Sequence, residues 1–264
     1  MSLTRYPGPL AGNPPENANY RIEGPAHRLL MHEFPRRLRA VYAGETVLDT
    51  TSAMLLHETG LLAQSYIPFG DIREDLLKQT DHHTYCPFKG TASYWSVVVG
   101  DRVAENAIWA YPEPNPEAEW LRGYAGFYWA AMDAWYDEDD LAEGHLRDPF
   151  HRVDVRSSSR RVTVRAGGTV VAETTRPLLL SETSLPNRFY VPREDVRLDM
   201  LAPSETYTVC AYKGTASYWS VAVDGRTLAD AVWSYPEANG DAAAVSGYLS
   251  FAHDELTVEV GEPG

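Results

Sequence analysis

The sequence predicts a mainly β protein built from two tandem copies of one antiparallel unit. Three observations carry that prediction. An eleven-residue block returns almost unchanged, one offset maps many further residues onto each other, and the hydrophobic period along most of each copy is two. Cys86-Pro-Phe-Lys-Gly-Thr-Ala-Ser-Tyr-Trp-Ser96 recurs as Cys210-Ala-Tyr-Lys-Gly-Thr-Ala-Ser-Tyr-Trp-Ser220, identical at nine of eleven positions with an offset of 124. The same offset carries Tyr66, Pro68 and Asp71 onto Tyr190, Pro192 and Asp195. It also carries Trp109-x-Tyr-Pro-Glu113 onto Trp233-x-Tyr-Pro-Glu237. Ala43-Gly-Glu-Thr-Val47 matches Ala166-Gly-Gly-Thr-Val170 at an offset of 123, which implies one residue gained or lost between the first strands and Leu55. A repeat of this length is a duplicated domain, because solenoid repeats run to roughly 20–50 residues.

The elements follow in chain order. Residues 1–35 hold prolines at 7, 9, 14, 15, 25 and 35 and read as a Pro-rich N-terminal arm. The first repeat spans 36–136. An acidic and polar connection, with Asp137-Glu-Asp-Asp and Ser157-Ser-Ser159, spans 137–159, and the second repeat fills 160–264. In that repeat Val162, Val164 and Ala166 alternate with Arg161, Thr163 and Arg165, the pattern of a half-buried strand, and Gly167-Gly168 turns it into Val170-Val-Ala172. Tyr218–Val223 reads as a strand. Asp224-Gly225, or Gly100-Asp101 in the first copy, is a hairpin signal before the next strand. Trp120, Tyr124 and Phe127, like Ala244, Tyr248 and Phe251, fall at i, i+4, i+7 and predict one short helix near the C-terminus of each unit.

Composition excludes several functions. Lys and Arg number 23 against 37 Asp and Glu, a formal charge of −14, which disfavours nucleic acid and anionic membrane as partners. Two cysteines exclude a disulfide scaffold and a self-contained four-thiolate zinc site, so a reduced, cytoplasmic protein without metal or cofactor is expected. Nucleotide-binding glycine motifs, a Gly-x-Ser-x-Gly elbow and a His-Glu-x-x-His pair are absent from the sequence.

The 16 Tyr and 7 Trp against 7 Phe point instead to rings with polar handles. Tyr66, Tyr94, Trp95, Trp109 and Tyr111, with Lys213, Trp219, Trp233 and Tyr235 from the second copy, are candidate ligand-binding residues. Such a wall suits a small, flat or cyclic polar ligand. Tyr94 and Trp95 are neighbours on one strand, so they face opposite sides and only one can line a given pocket. Cys86, Lys89, His83 and Glu113 are the candidate catalytic set. A nearby cation would lower the thiol pKa, and a bend at Pro87 and Gly90 would bring Cys86 and Lys89 to one face. The second copy has Ala211 and Tyr207 in place of Pro87 and His83, so the first copy is the expected reactive one. As ordinary structure, the same residues are a small buried thiol, a lysine stem lying on rings, and core aromatics.

The Cys-Pro-Phe-Lys-Gly-Thr-Ala-Ser-Tyr-Trp-Ser block, with Tyr-Ile-Pro and His-x-x-Cys before it and Trp-x-Tyr-Pro-Glu-Pro after it, resembles bacterial proteins of domain-of-unknown-function family 427. The resemblance covers both repeats and implies a β-tent-like fold of antiparallel sheets, similar to methionine sulfoxide reductase B and the thalidomide-binding domain of cereblon. Zinc is not implied, because the Cys-x-x-Cys knuckles of those relatives are missing. The family is sometimes labelled a nucleotidyltransferase, but the sequence carries no acidic metal-binding pair and no Gly-Ser phosphate signature. The expected architecture is therefore an intramolecular pseudo-dimer of two such domains. The expected function is a small-molecule enzyme using Cys86 or Lys89, with a non-catalytic binding or sensing module as the alternative.

Overall fold

The computed structural model describes residues 25–263. The chain divides into two compact units, 1–146 and 147–264. In the first, the strands are β1 (Leu29–Glu33), β2 (Leu38–Tyr42), β3 (Glu45–Thr50), β4 (Met54–Glu58), β5 (Gln64–Pro68), β6 (Leu77–Cys86), β7 (Gly90–Val99), β8 (Arg102–Ala110), β9 (Tyr124–Phe127), β10 (Ala134–Asp137) and β11 (Asp140–Leu141). They form a seven-stranded sheet, β1-β4-β5-β9-β8-β7-β6, and a four-stranded sheet, β11-β10-β2-β3.

The second unit repeats the plan with β12 (Val153–Ser157), β13 (Arg160–Ala166), β14 (Thr169–Thr174), β15 (Leu178–Glu182), β16 (Arg188–Tyr190), β17 (Leu201–Cys210), β18 (Gly214–Val223), β19 (Arg226–Ser234), β20 (Ser250–Phe251) and β21 (Leu256–Pro263). Its strand orders are β12-β15-β16, β17-β18-β19-β20 and β14-β13-β21. A bridge between Val191 and Leu249 joins the first two. All the strand pairs are antiparallel, as the period-two pattern requires.

The large sheet of each unit is apolar on both faces, and the two faces do different work. One face packs on the small sheet: Leu38, Ala40, Val47, Ile67, Ile108 and Phe127 in unit one, Val162, Val164, Val171, Val191, Val232 and Phe251 in unit two. The other face carries Tyr66, Tyr94, Tyr111 and Leu56, or Tyr190, Tyr235 and Leu180. It is covered by Ala118 and Leu121, or Ala242 and Val245. The alternation of Tyr66 with Ile67, and of Ile108 with Trp109, therefore sorts neighbouring residues between the two clusters.

Several sequence expectations change. Asp224 and Gly225 have φ of 49° and 71° in a two-residue turn between Val223 and Arg226, as the hairpin signal predicts. The predicted helix is smaller and earlier. Pro116–Leu121 and Gly240–Val245 are six-residue 3-10 helices, while Tyr124–Phe127 and Ser250–Phe251 are strands. Trp120, Tyr124 and Phe127 match a helical period by coincidence, because Arg122-Gly123 ends the turn and Gly123 takes a φ of 82°.

The offset is also corrected. Tyr42 pairs with Glu45 as Ala166 pairs with Thr169, so the turn residues Ala43 and Gly167 are equivalent at 124, not 123. Their φ values of 51° and 59° agree. The missing residue lies instead before the last strand: Trp135 pairs with Ala40, and Val258 with Val164. Of the arm drawn over 1–35, residues 1–24 lie outside the described residues. Residues 29–33 are strand β1, paired with β4. The segment 137–159 likewise contains β11 and β12.

Candidate functional site

In each repeat the shared block builds a tight turn between two long strands. Cys86 pairs with Gly90, and Pro87, Phe88 and Lys89 form the turn, where the Lys89 amide donates to the Cys86 carbonyl at 3.3 Å. Cys210 and Gly214 pair in the same way, so Ala211 supports the same turn as Pro87. The glycine has two causes. Gly90 and Gly214 have φ of 105° and 93°, and a Cβ at either would lie 3.1 Å from the carbonyl oxygen of Glu113 or Glu237. That close loop also holds the lysine backbone, since the Asn115 and Asn239 amides donate to the Lys89 and Lys213 carbonyls at 3.0 and 3.1 Å.

The turn aims the lysine inward. Lys89 Nζ donates to Glu58 Oε2, and His27 Nε2 lies 2.8 Å from Glu58 Oε1. The imidazole stacks on Phe88, with ring centroids 3.8 Å apart and an interplanar angle of 17°. The second copy reproduces each part: Lys213 Nζ on Glu182 Oε2, His151 Nε2 at 3.0 Å from Glu182 Oε1, and His151 stacked on Tyr212 at 4.0 Å. The acid and the lysine are nearly buried, with side chains 7–11% exposed. Position comes from the strands. Glu58 ends β4 opposite Leu29 of β1. The Arg28 amide donates to Thr59 Oγ1 at 2.9 Å, as the Arg152 amide does to Thr183 Oγ1, which brings the preceding histidine beside the carboxylate.

Behind this cluster stands a wall of phenols. Trp109 Nε1 donates to Tyr66 Oη at 3.3 Å, and Trp233 Nε1 to Tyr190 Oη at 3.3 Å. Tyr94 Oη and Thr84 Oγ1 are 2.9 Å apart, as are Tyr218 Oη and Thr208 Oγ1. Burial first, then the nearby Glu58 and Cys86, among other neighbours, push the Tyr66 and Tyr111 phenols well above the ordinary value. Tyr190 is pushed up to about 12, by burial and by Glu182 and Cys210, against the opposing Trp233 bond. These phenols are therefore hydrogen-bond donors at neutral pH and not bases. Burial works against ionisation of Glu182, but the bonds from His151 and Lys213 outweigh it and hold its carboxyl below the usual range.

The candidate residues sort accordingly. Lys89, Cys86, Tyr66, Tyr94, Trp109 and Tyr111 share one face, with Lys213, Trp233 and Tyr235 in the second unit. Trp95 and Trp219 do not join them. They lie on the opposite face against the main core, beside Phe69 at 5.2 Å and under Arg193 at 5.8 Å. His83 sits on an exposed strand face, where Nδ1 is 3.3 Å from the Ala92 carbonyl and 3.4 Å from Ser93 Oγ. Glu113 is exposed and contributes its carbonyl oxygen against Gly90, so its carboxylate role passes to Glu58.

Sequence reasoning missed His27, Glu58, His151 and Glu182. The signal was present, because His27-Arg28 and Glu58-Thr59 return as His151-Arg152 and Glu182-Thr183 at the offset of 124. Both histidines fell in segments read as arm and connection. Among the described residues, no group of three or more His, Cys, Asp or Glu is placed to hold a metal ion.

A family model described as Domain of unknown function (DUF427) matches residues 30–138 and again 154–262. In each repeat the stacked histidine lies three residues ahead of the matched segment. No curated protein matches the chain. The two matches together span most of the sequence, and the chain belongs to domain-of-unknown-function family 427 as a tandem pair of its domains.

Proposed function

We propose that the protein is a small-molecule-binding module in which each repeat presents the His–Glu–Lys cluster, backed by tyrosines, to a small polar or cyclic metabolite. One observation carries this reading: both repeats keep the whole cluster, stacked ring included, while of the groups expected to act with Cys86, His83 and Glu113 lie elsewhere and Lys89 is engaged by Glu58. Two N–H groups of each lysine and the phenol hydroxyls behind it supply donors for carbonyl, carboxylate or hydroxyl oxygens. Flanking rings supply flat apolar contact. The excess of acidic residues keeps nucleic acid out of the partner class, and the two unpaired thiols suit a reducing compartment.

The rival reading is catalysis. Here the His–Glu–Lys chain would relay a proton and Cys86 would attack the ligand. Ligand-observed NMR with a panel of nucleobases, cyclic amides and hydroxy acids separates the two. A binder gives unaltered ligands whose affinity falls at least about tenfold in a folded Glu58→Gln/Glu182→Gln protein, as loss of a charge-assisted contact implies. A converted ligand whose turnover Cys86→Ala abolishes would replace binding by catalysis.

A further inference from the structure

The two repeats differ inside the fold around the last strand, and the difference has the shape of a ligand. In repeat one, Trp135 of β10 is 2% exposed. Its ring stands 5.7 Å from Phe127 at 87° and stacks on Trp129 at 4.7 Å. Two residues on, and on the same strand face, Asp137 takes both Arg36 bonds, at 2.5 and 2.8 Å.

Strand register places Val258 where Trp135 stands and Val260 where Asp137 stands. Trp135 pairs with Ala40 and Val258 with Val164, while Asp137 pairs with Leu38 and Val260 with Val162. Phe34, another core ring of repeat one, becomes Ser158: the Phe34 amide donates to Ala53 at 2.8 Å as the Ser158 amide donates to Pro177 at 3.0 Å. Repeat two thus lacks two rings and one carboxylate that repeat one supplies from its own chain.

What results is a cleft of about 220 Å³ with apolar walls from Val162, Val164, Phe189 and Val258 and polar ones from Asn187 and Ser250. An apolar cavity of roughly 150 Å³ suffices for benzene, so the volume suits one ring or a fused pair. Val258 is 40% exposed, which leaves the cleft open to solvent. Arg160, the counterpart of Arg36, holds its guanidinium 5.4 Å over the lining residue Phe189, while Arg188, which also lines the cleft, holds its guanidinium 5.7 Å over Trp233. Among the described residues neither guanidinium is in an ion pair.

We propose that this cleft binds an aromatic carboxylic acid, its ring taking the place of the Trp135 indole and its carboxylate bonding Arg160 as Asp137 bonds Arg36. The site lies within the second unit and is separate from the His–Glu–Lys clusters.

Titration of the full chain with indole-3-acetate tests the proposal, with indole and acetate as the separated halves. The expected result is one site per chain. Indole should bind at least about tenfold more weakly, because a charge-assisted hydrogen bond is lost, and acetate should not bind measurably. Arg160→Gln should reduce the acid to the affinity of indole and leave indole unchanged. Val258→Trp should abolish both, and it should raise the melting temperature by refilling the cleft from within. If that variant does not fold, Val260→Asp, at the half-buried position equivalent to Asp137, decides, because it supplies the missing carboxylate and should remove the preference for the acid. Two sites per chain, no saturable binding, or affinities indifferent to Arg160 and to the refilling variants would each overturn the proposal.

Discussion

Glu182→Gln isolates the balance inside the cluster. The substitution leaves Lys213 with no carboxylate while its side chain keeps only 10% of its surface. Breaking a buried ion pair from one side costs about 3–5 kcal/mol, because the remaining charge stays desolvated without compensation. That residual exposure, and the amide's ability to accept one hydrogen bond, place the expectation near the lower end, at about 3 kcal/mol. A Glu182→Leu/Lys213→Leu protein removes both charges and should be more stable than the single variant, the sign of a coupled pair. Native-state amide exchange on the β17–β18 hairpin reads the second unit without requiring the two units to unfold together, and urea melts give the sum.

Acid adds a second reading. The Glu182 carboxyl is held below its ordinary value, so its contribution is fully present above the unfolded value of about 4.3 and is lost as pH falls through the native one. The gap between wild type and Glu182→Gln should therefore narrow on acidification below about pH 4. A cost under about 1 kcal/mol at pH 7, or a double variant as damaged as the single, would show that the pair is hydrated and would refute the argument.

Gly90→Ala and Gly214→Ala should each destabilise their unit by about 1–3 kcal/mol, through left-handed strain and contact with a loop carbonyl, as measured in denaturant. Trp135→Ala should cost about 3–5 kcal/mol in the first unit, whereas Val258→Ala in the second costs far less, because Trp135 is enclosed and the smaller Val258 is partly exposed. Timed alkylation followed by mass spectrometry should label Cys86 and Cys210 at similar rates, since both are half-buried and His83 is bonded elsewhere. A much faster Cys86 would revive the catalytic thiol. Ultraviolet titration should show Tyr128 and Tyr190 still protonated well past pH 10, both having been pushed up to about 12 by burial and neighbouring groups.

The duplication, the antiparallel class and the hairpin at Asp224-Gly225 were legible in the residues alone. Repetition is a relation between letters, and strand alternation and turn chemistry act within a few residues. Even the site was half legible: Lys89, Cys86 and Tyr66 stood out because the second copy kept them. The partners of Lys89 were not legible, although they too are repeated. His27 and Glu58 are 31 residues apart, and only the β1–β4 pairing, with Thr59 closing it, sets them side by side. The sorting of Trp95 away from Tyr94 follows from strand geometry, but which of the two faces the cluster depends on which side of the large sheet the small one covers. The fate of Trp135 and Val258 depends on register. One residue lost before the last strand leaves its pairing intact and changes which side chain enters the core, and that exchange is visible only against the partner strand, which lies about 95 residues away along the chain.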